Sequence, residues 1–468
     1  MLIIYLCKKI INMKIYHTLL IFIILQFGFQ SGIYSQHTIN GSVPGLENTN
    51  VYLLKINGQS QRTVDTALCN ANGSFTFTLD SDAPIGMYSI NTGSDQKIEL
   101  LYNNENIRFV SSGNTAQDNV QIVESIENLI WYDYLYTKGF NQYKMEVIEQ
   151  LLMSYPPGDE YYKYTENYYQ ELQKIITDRC NELISNNPNT IAARYIKIDM
   201  PVFAPYGMNE DERQNYLIRH HFDNTDFTDT LLLSSNILSS KIIKYLSLYQ
   251  KPSYSKEQLE DELIIAVDSI FNYAIVEQKV YEWVVDFLIK GFEAIGFEKG
   301  LNHIAEQNQL SELCVNTEKK ESLEHKMEMI KKLAIGKKAP AFSVKDINQK
   351  EISLYDIKSD RTILIFWASW CPHCNEIMPV LKDYYDPQNT EKLQVVAISI
   401  DEYKKDLMDA LKTHSYNWIN IAELQGWDGP TLKEYGIHAT PTIFILDKDK
   451  NIIAKPTNKA GLKKALGR

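Results

Sequence analysis

The segment Trp370-Cys371-Pro372-His373-Cys374 constrains this chain more than any other. Before it runs Thr362-Ile363-Leu364-Ile365-Phe366-Trp367, a near-continuous apolar stretch rich in β-branched residues, the pattern of a buried strand. Ala368-Ser369-Trp370 makes a short turn. Cys371 then opens a helix whose first-turn N–H groups point at its sulfur and favour the anion. A thiolate, not a thiol, attacks disulfides, so this geometry makes a redox nucleophile. Further on, Ala439-Thr440-Pro441-Thr442 leads into a second buried strand, Ile443-Phe444-Ile445-Leu446. The chain must therefore place a reactive pair of sulfurs inside a β-α-β unit. A C-x-x-C pair also serves zinc sites, but a second such pair is missing, which excludes a four-cysteine zinc site here.

At these residues the chain resembles the thioredoxin superfamily, and within it the membrane-associated and periplasmic branch typified by TlpA and ResA. The resemblance covers residues 334–468 and takes in the entry segment Gly336-Lys337-Lys338-Ala339-Pro340-Ala341-Phe342 and Pro379, where the family kinks its first helix. It implies an α/β thioredoxin fold and thiol–disulfide oxidoreductase activity with no metal and no cofactor. Cys371 is the expected nucleophile, as the exposed sulfur, and Cys374, one turn further in, the buried resolving thiol. Pro441 is carried over as the family's cis-proline, which lets the Thr440 backbone face Cys371 and pair with an extended substrate. Trp370 is expected to shield the sulfurs. The Pro372-His373 dipeptide tunes direction, since a protonated His373 stabilises the thiolate and with it the reduced form. That dipeptide resembles the periplasmic disulfide-forming oxidase, whereas the rest of the domain resembles the reductase branch, so reduction is favoured over oxidation.

Two positions depart from the family pattern. The buried aspartate that thioredoxins carry on the strand before the motif is Ile365 here. The glutamate that many ResA relatives carry three residues after the second cysteine is Ile377, with Glu376 one place away. Peroxidase chemistry is disfavoured, because it needs a threonine one turn before the attacking cysteine, and Trp367 and Ser369 flank this one.

A chain of 468 residues is too long for one core. Its formal net charge of -12 gives no electrostatic support to nucleic-acid binding. Residues 1–36 read as an export signal with Leu19-Leu20-Ile21-Phe22-Ile23-Ile24-Leu25 as its apolar stretch, and Met13 is an alternative start. An uncleaved signal would be the one route to membrane contact. The export signal sets the expected location as the periplasm or cell envelope, where a pair of this kind needs an external electron source or sink. The expected partners are thiol- or disulfide-containing envelope proteins and a membrane electron donor. Cys69, Cys180 and Cys314 are too scattered for a disulfide framework and read as buried free thiols, although a Cys180–Cys314 bridge remains open.

The architecture expected is multidomain: an all-β sandwich or barrel over 37–115, an all-α middle domain over 120–332, and the α/β domain over 334–468. Strands are expected at Val51–Ile56, Ser74–Leu79, Met87–Ile90, Ile98–Leu101 and Ile107–Val110. Helical periodicity marks 167–186 and 259–295, and Pro188, Pro201, Pro205 and Pro252 mark connections. The tyrosine-dense segment 131–169 reads as aromatic residues straddling the core and rim of amphipathic helices, with an aromatic peptide-binding surface as the alternative. His220, His221 and Asp223 lack metal-ligand spacing. The charges of Glu321–Leu333 read as a solvated linker helix. A function of a different class, an envelope binding or scaffold protein with a vestigial redox module, is left open by the long stretch outside the redox domain.

Overall fold

The computed structural model describes residues 36–93, 97–111, 119–205, 207–307 and 318–467. The residues before Gln36, expected to form the export signal, and Cys314 therefore lie outside the described residues. The chain forms two compact units: one runs to Pro205 and includes Phe222–Thr225 and Leu231–Leu238, and the other takes the remainder. The helical stretch is thus shared between them.

The first unit begins with β1 (His37–Ser42), β2 (Asn50–Asn57), β3 (Ser60–Leu68), β4 (Ser74–Leu79), β5 (Gly86–Asn91), β6 (Lys97–Tyr102), β7 (Ile107–Ser111) and β8 (Val120–Glu124). They make two four-stranded sheets, ordered β4-β1-β7-β8 and β3-β2-β5-β6. One apolar core draws on both, with Ile39, Phe77, Ile107, Val51, Ile90 and Ile98 all at zero exposure. In β4 alternation does the sorting: Phe75, Phe77 and Leu79 turn inward and Thr76 and Thr78 outward. Gly73 takes φ +69° in the turn before it, and a side chain there would strike the Val43 carbonyl at 2.3 Å. The β region extends past the expected boundary at 115. Val120–Glu124 pairs antiparallel with β7, so helix starts at Ile126 rather than near 120.

The helices of this unit are α1 (Ile126–Ser154), α2 (Glu160–Asn186) and α3 (Ile191–Asp199). Ser125 caps α1 by accepting from Asn128 N–H. Buried Glu127 receives the Ile191 and Ala192 N–H groups at 3.2 and 2.8 Å, setting an acidic group at the α3 N-terminus. The tyrosine-rich segment divides: Tyr132 donates to the Glu99 carbonyl and Tyr134 to Asp199, whereas Tyr136, Tyr143, Tyr161 and Tyr164 stand exposed. Cys180 is a free thiol inside this helical packing.

In the second unit follow α4 (Glu210–His220), α5 (Ile237–Ser247, shared with the first unit at its start), α6 (Lys256–Ala274), α7 (Gln278–Ile295), α8 (Glu298–Gln307) and α9 (Glu318–Lys332). The expected periodic run 259–295 is broken at Ile275–Glu277 into α6 and α7. His221 donates through Nε2 to the Lys241 carbonyl at 2.8 Å, and burial lowers its pKa to about 4. Helix α9 is not the solvated linker its charges suggested. Leu323, Met327 and Ile330 are buried, Lys326 pairs with Glu293 at 3.0 Å, and Met329 and Leu333 pack into the core of the C-terminal domain. Most of its charges occupy one face and hide a helical stripe on the other, made of Leu323, Met327 and Ile330 together with the buried Lys320.

The C-terminal domain holds the hairpin β9 (Ser343–Lys345) and β10 (Glu351–Ser353). Then come β11 (Arg361–Trp367), α10 (Pro372–Tyr384), β12 (Leu393–Ser399), α11 (Lys404–His414), β13 (Ile419–Ala422), α12 (Pro430–Glu434), β14 (Thr442–Leu446), β15 (Ile452–Ala454) and α13 (Lys459–Leu466). The main sheet is ordered β13-β12-β11-β14-β15. β11, β12 and β13 run parallel, and β14 runs antiparallel to β11. Ile363, Leu364, Ile365 and Phe366 have zero exposure, as the unbroken apolar run of a central strand requires. No described helix is long and apolar enough to cross a membrane.

Candidate active site

Strand β11 ends at Trp367, and the chain turns through Ala368-Ser369-Trp370 into α10. Cys371 is the N-cap of that helix, and its Sγ accepts the Cys374 N–H at 3.4 Å. Pro372 occupies the first helical turn, where its missing N–H is one that a helix start leaves unpaired. Pro379 lies inside the helix. Across from the sulfur, the Thr440–Pro441 peptide is cis, and the Thr440 carbonyl sits 3.4 Å from Cys371 Sγ as acceptor of the thiol. The motif and the proline loop, distant in sequence, therefore meet at one sulfur.

Cys371 is less open than expected. It retains 5% exposure and Cys374 none, because the proline loop and the helix start close over the pair. Electrostatics still separates them. Burial pushes the Cys371 pKa up, but hydrogen bonds from the Cys374 thiol, from the Thr440 side-chain hydroxyl and from the N–H groups of Cys374 and His373 outweigh it and hold the thiol below its ordinary value. Burial pushes Cys374 up to about 12, with its hydrogen bond to Cys371 adding to the rise. Both cysteines are free thiols.

Trp370 keeps 59% of its surface, and Pro372 and His373 are exposed. Ile377 is buried at 5%, whereas Glu376 faces solvent, so no acid of α10 is buried beside Cys374. The buried acid of the site comes from elsewhere. Asp401, with 1% exposure just past β12, accepts from Ser369 N at 3.1 Å, from Ser369 Oγ at 2.5 Å and from Ser399 Oγ at 2.6 Å. It ties down the turn that delivers Cys371. Sequence reasoning missed it; the available signal was an acid closing the apolar run Val395–Ile400 at the same sheet edge as the motif. No group of metal-binding side chains occurs among the described residues.

The fold and the site define a thioredoxin-like protein. Residues 335–455 match the model of the AhpC/TSA family. Residues 37–130 match a domain of unknown function, DUF4369, and residues 172–291 another, DUF5106. Thiol-disulfide oxidoreductase ResA of Bacillus thuringiensis is 33% identical over 122 residues, which span 26% of this chain and 69% of that protein. Thioredoxin-like protein YneN of Bacillus subtilis is 30% identical over 121 residues, covering 25% of this chain and 68% of its own. A thioredoxin-like protein from Bacteroides caccae, solved as a crystal structure, is 22% identical with a TM-score of 0.43, covering 57% of this chain and 96% of that one. The chain belongs to the ResA family of thiol-disulfide oxidoreductases, and its activity is of that class.

Proposed function

We propose that the protein is exported and works in the cell envelope as a disulfide reductase, with Cys371 as nucleophile and Cys374 as resolving thiol. The observation that carries this reading is the placement of Cys371 Sγ at a helix start, against the Thr440 carbonyl, with the Cys374 thiol bonded to it from beneath. The Cys371 thiolate attacks one sulfur of a substrate disulfide. That S–S bond breaks, the other sulfur leaves as a thiolate and takes up a proton, and a mixed disulfide forms on Cys371. Cys374 then loses its proton and attacks Cys371 Sγ, and the second substrate thiol departs. Two electrons have passed to the substrate, and the protein holds a Cys371–Cys374 disulfide. A dithiol of a membrane electron donor reopens that disulfide by the same exchange. Substrates are disulfide-bearing envelope proteins, whose extended backbone pairs with Thr440. The raised pKa of Cys374 holds it protonated until attack is needed, so the first step runs through Cys371 alone.

The test is a Cys374→Ala variant with an envelope extract. The expected outcome is covalent capture of proteins on Cys371, released by reductant; no capture, together with failure of the native protein to reduce insulin disulfides, would overturn the reading. Direction is read separately by equilibration with glutathione. A potential near that of strong oxidants, about −120 mV, would make the protein an oxidase instead.

A further inference from the structure

The redox pair sits at the edge where β11, β12 and β13 end and β14 begins, which is where open α/β sheets place their ligands. Each of the three loops leaving that edge carries an exposed aromatic side chain. Trp370 follows β11, Tyr403 follows β12 and Trp427 follows β13, with 59%, 69% and 44% of their surfaces open. The loops touch in series. Ser369 bonds to Asp401 through its N–H and its hydroxyl. Residues 401–403 in turn lie against the third loop, where a Cβ on Gly426 would stand 2.7 Å from Glu402 Oε1. Gly426 takes φ +56°, so the Trp427 turn closes on Glu402 only because that position has no side chain. The domain core is filled by other aromatics, Phe366, Trp367, Tyr435 and Phe444, and does not use these three.

We propose that Trp370, Tyr403 and Trp427 form one recognition rim beside Cys371, and that its occupant is an extended polypeptide with apolar or aromatic side chains next to its cysteine. The inference rests on the exchange reading of the same site. Thr440 offers the substrate a backbone acceptor, which any sequence satisfies; the rim adds preference for side chains, because amphipathic aromatic anchors are what fix a partner at low entropic cost.

The experiment uses the full chain, pre-reduced, in single turnover against two disulfide-linked peptides that differ only in having Phe and Leu or Ser and Gly beside the cysteine. The native protein is expected to favour the apolar peptide. Trp427→Ala and Tyr403→Ala are each expected to cut that preference by about tenfold, as the loss of one covered aromatic predicts, and Trp427→Phe to keep most of it. A preference unchanged in both alanine variants, or absent from the native protein while both peptides react, would overturn the rim. Failure of the native protein on both peptides would sink the exchange reading and the rim with it.

Discussion

Cys69, just past β3 in the N-terminal region, and Cys371, at the start of α10, are buried almost equally, with 1% and 5% exposure. Their acidities move in opposite directions. Cys69 is pushed up by burial, with one hydroxyl, Thr49, working the other way and Glu47 adding to the rise. Cys371 feels the same penalty and ends below the ordinary thiol value, because the first-turn N–H groups, the Thr440 hydroxyl and the Cys374 thiol all converge on its sulfur. Burial therefore does not decide whether a thiol in this protein is a nucleophile; the supply of hydrogen-bond donors does. Beside Cys69 the backbone N–H groups are spent on carbonyls, its own on Thr49 and that of Asn70 on Ser74, whereas a helix start has N–H groups left over.

The largest effect that can break this contrast is on turnover. Cys371→Ala is expected to reduce insulin-disulfide reduction by about a thousandfold or more, to the background of the external thiol, because no other nucleophile is provided. Cys69→Ala is expected to leave the rate where it is. Equal losses in the two variants would mean that the chemistry is not localised at the helix start.

A smaller effect sharpens the contrast. With iodoacetamide, the Cys371 rate should rise with pH to a midpoint below 9, and the Cys69 rate should still be climbing above 9, since alkylation follows the thiolate fraction. At pH 7 Cys371 should be alkylated faster than Cys69. Cys374, pushed up to about 12, should remain unlabelled across the range. A Cys371 midpoint above that of Cys69 would remove the physical basis of the comparison.

The same contrast explains what the sequence disclosed. The redox domain was legible because its chemistry needs particular residues at fixed spacing: C-x-x-C after an apolar strand, and Thr440-Pro441 before another. Strands such as Ser74–Leu79 were legible from alternation alone. Strand β8 was not, because Val120–Glu124 has one partner, β7, and a burial pattern without a clean apolar face. Helix α9 misled because charge density was read without its buried stripe. The exposure of Cys371 was overestimated because the cover comes from Thr440, far along the chain. Asp401 escaped notice for the same reason. Sequence neighbours gave it no partner, and its hydrogen bonds to Ser369 arise only from the parallel register that brings Trp367 opposite Ser399.

Asp401 gives the smallest expected effect, and it bears on how the nucleophile is held rather than on whether it reacts. Its side chain accepts one N–H and two hydroxyls in a site with 1% exposure. Asp401→Ala leaves the Ser369 N–H and hydroxyl without their acceptor, at a cost of about 1–3 kcal/mol for a buried polar group deprived of its partner. Because the loss is local, global unfolding is a poor gauge in a chain of two units, and the amide exchange of Ser369 is the better one. That amide should exchange about tenfold faster or more in Asp401→Ala, while amides in the centre of β11 stay protected. The Cys371 alkylation midpoint should move upward, since a looser turn presents its N–H groups to the sulfur less consistently. Cys69, which depends on no such turn, should titrate as before. An unchanged Ser369 amide would show that the helix start holds Cys371 in place without help from Asp401.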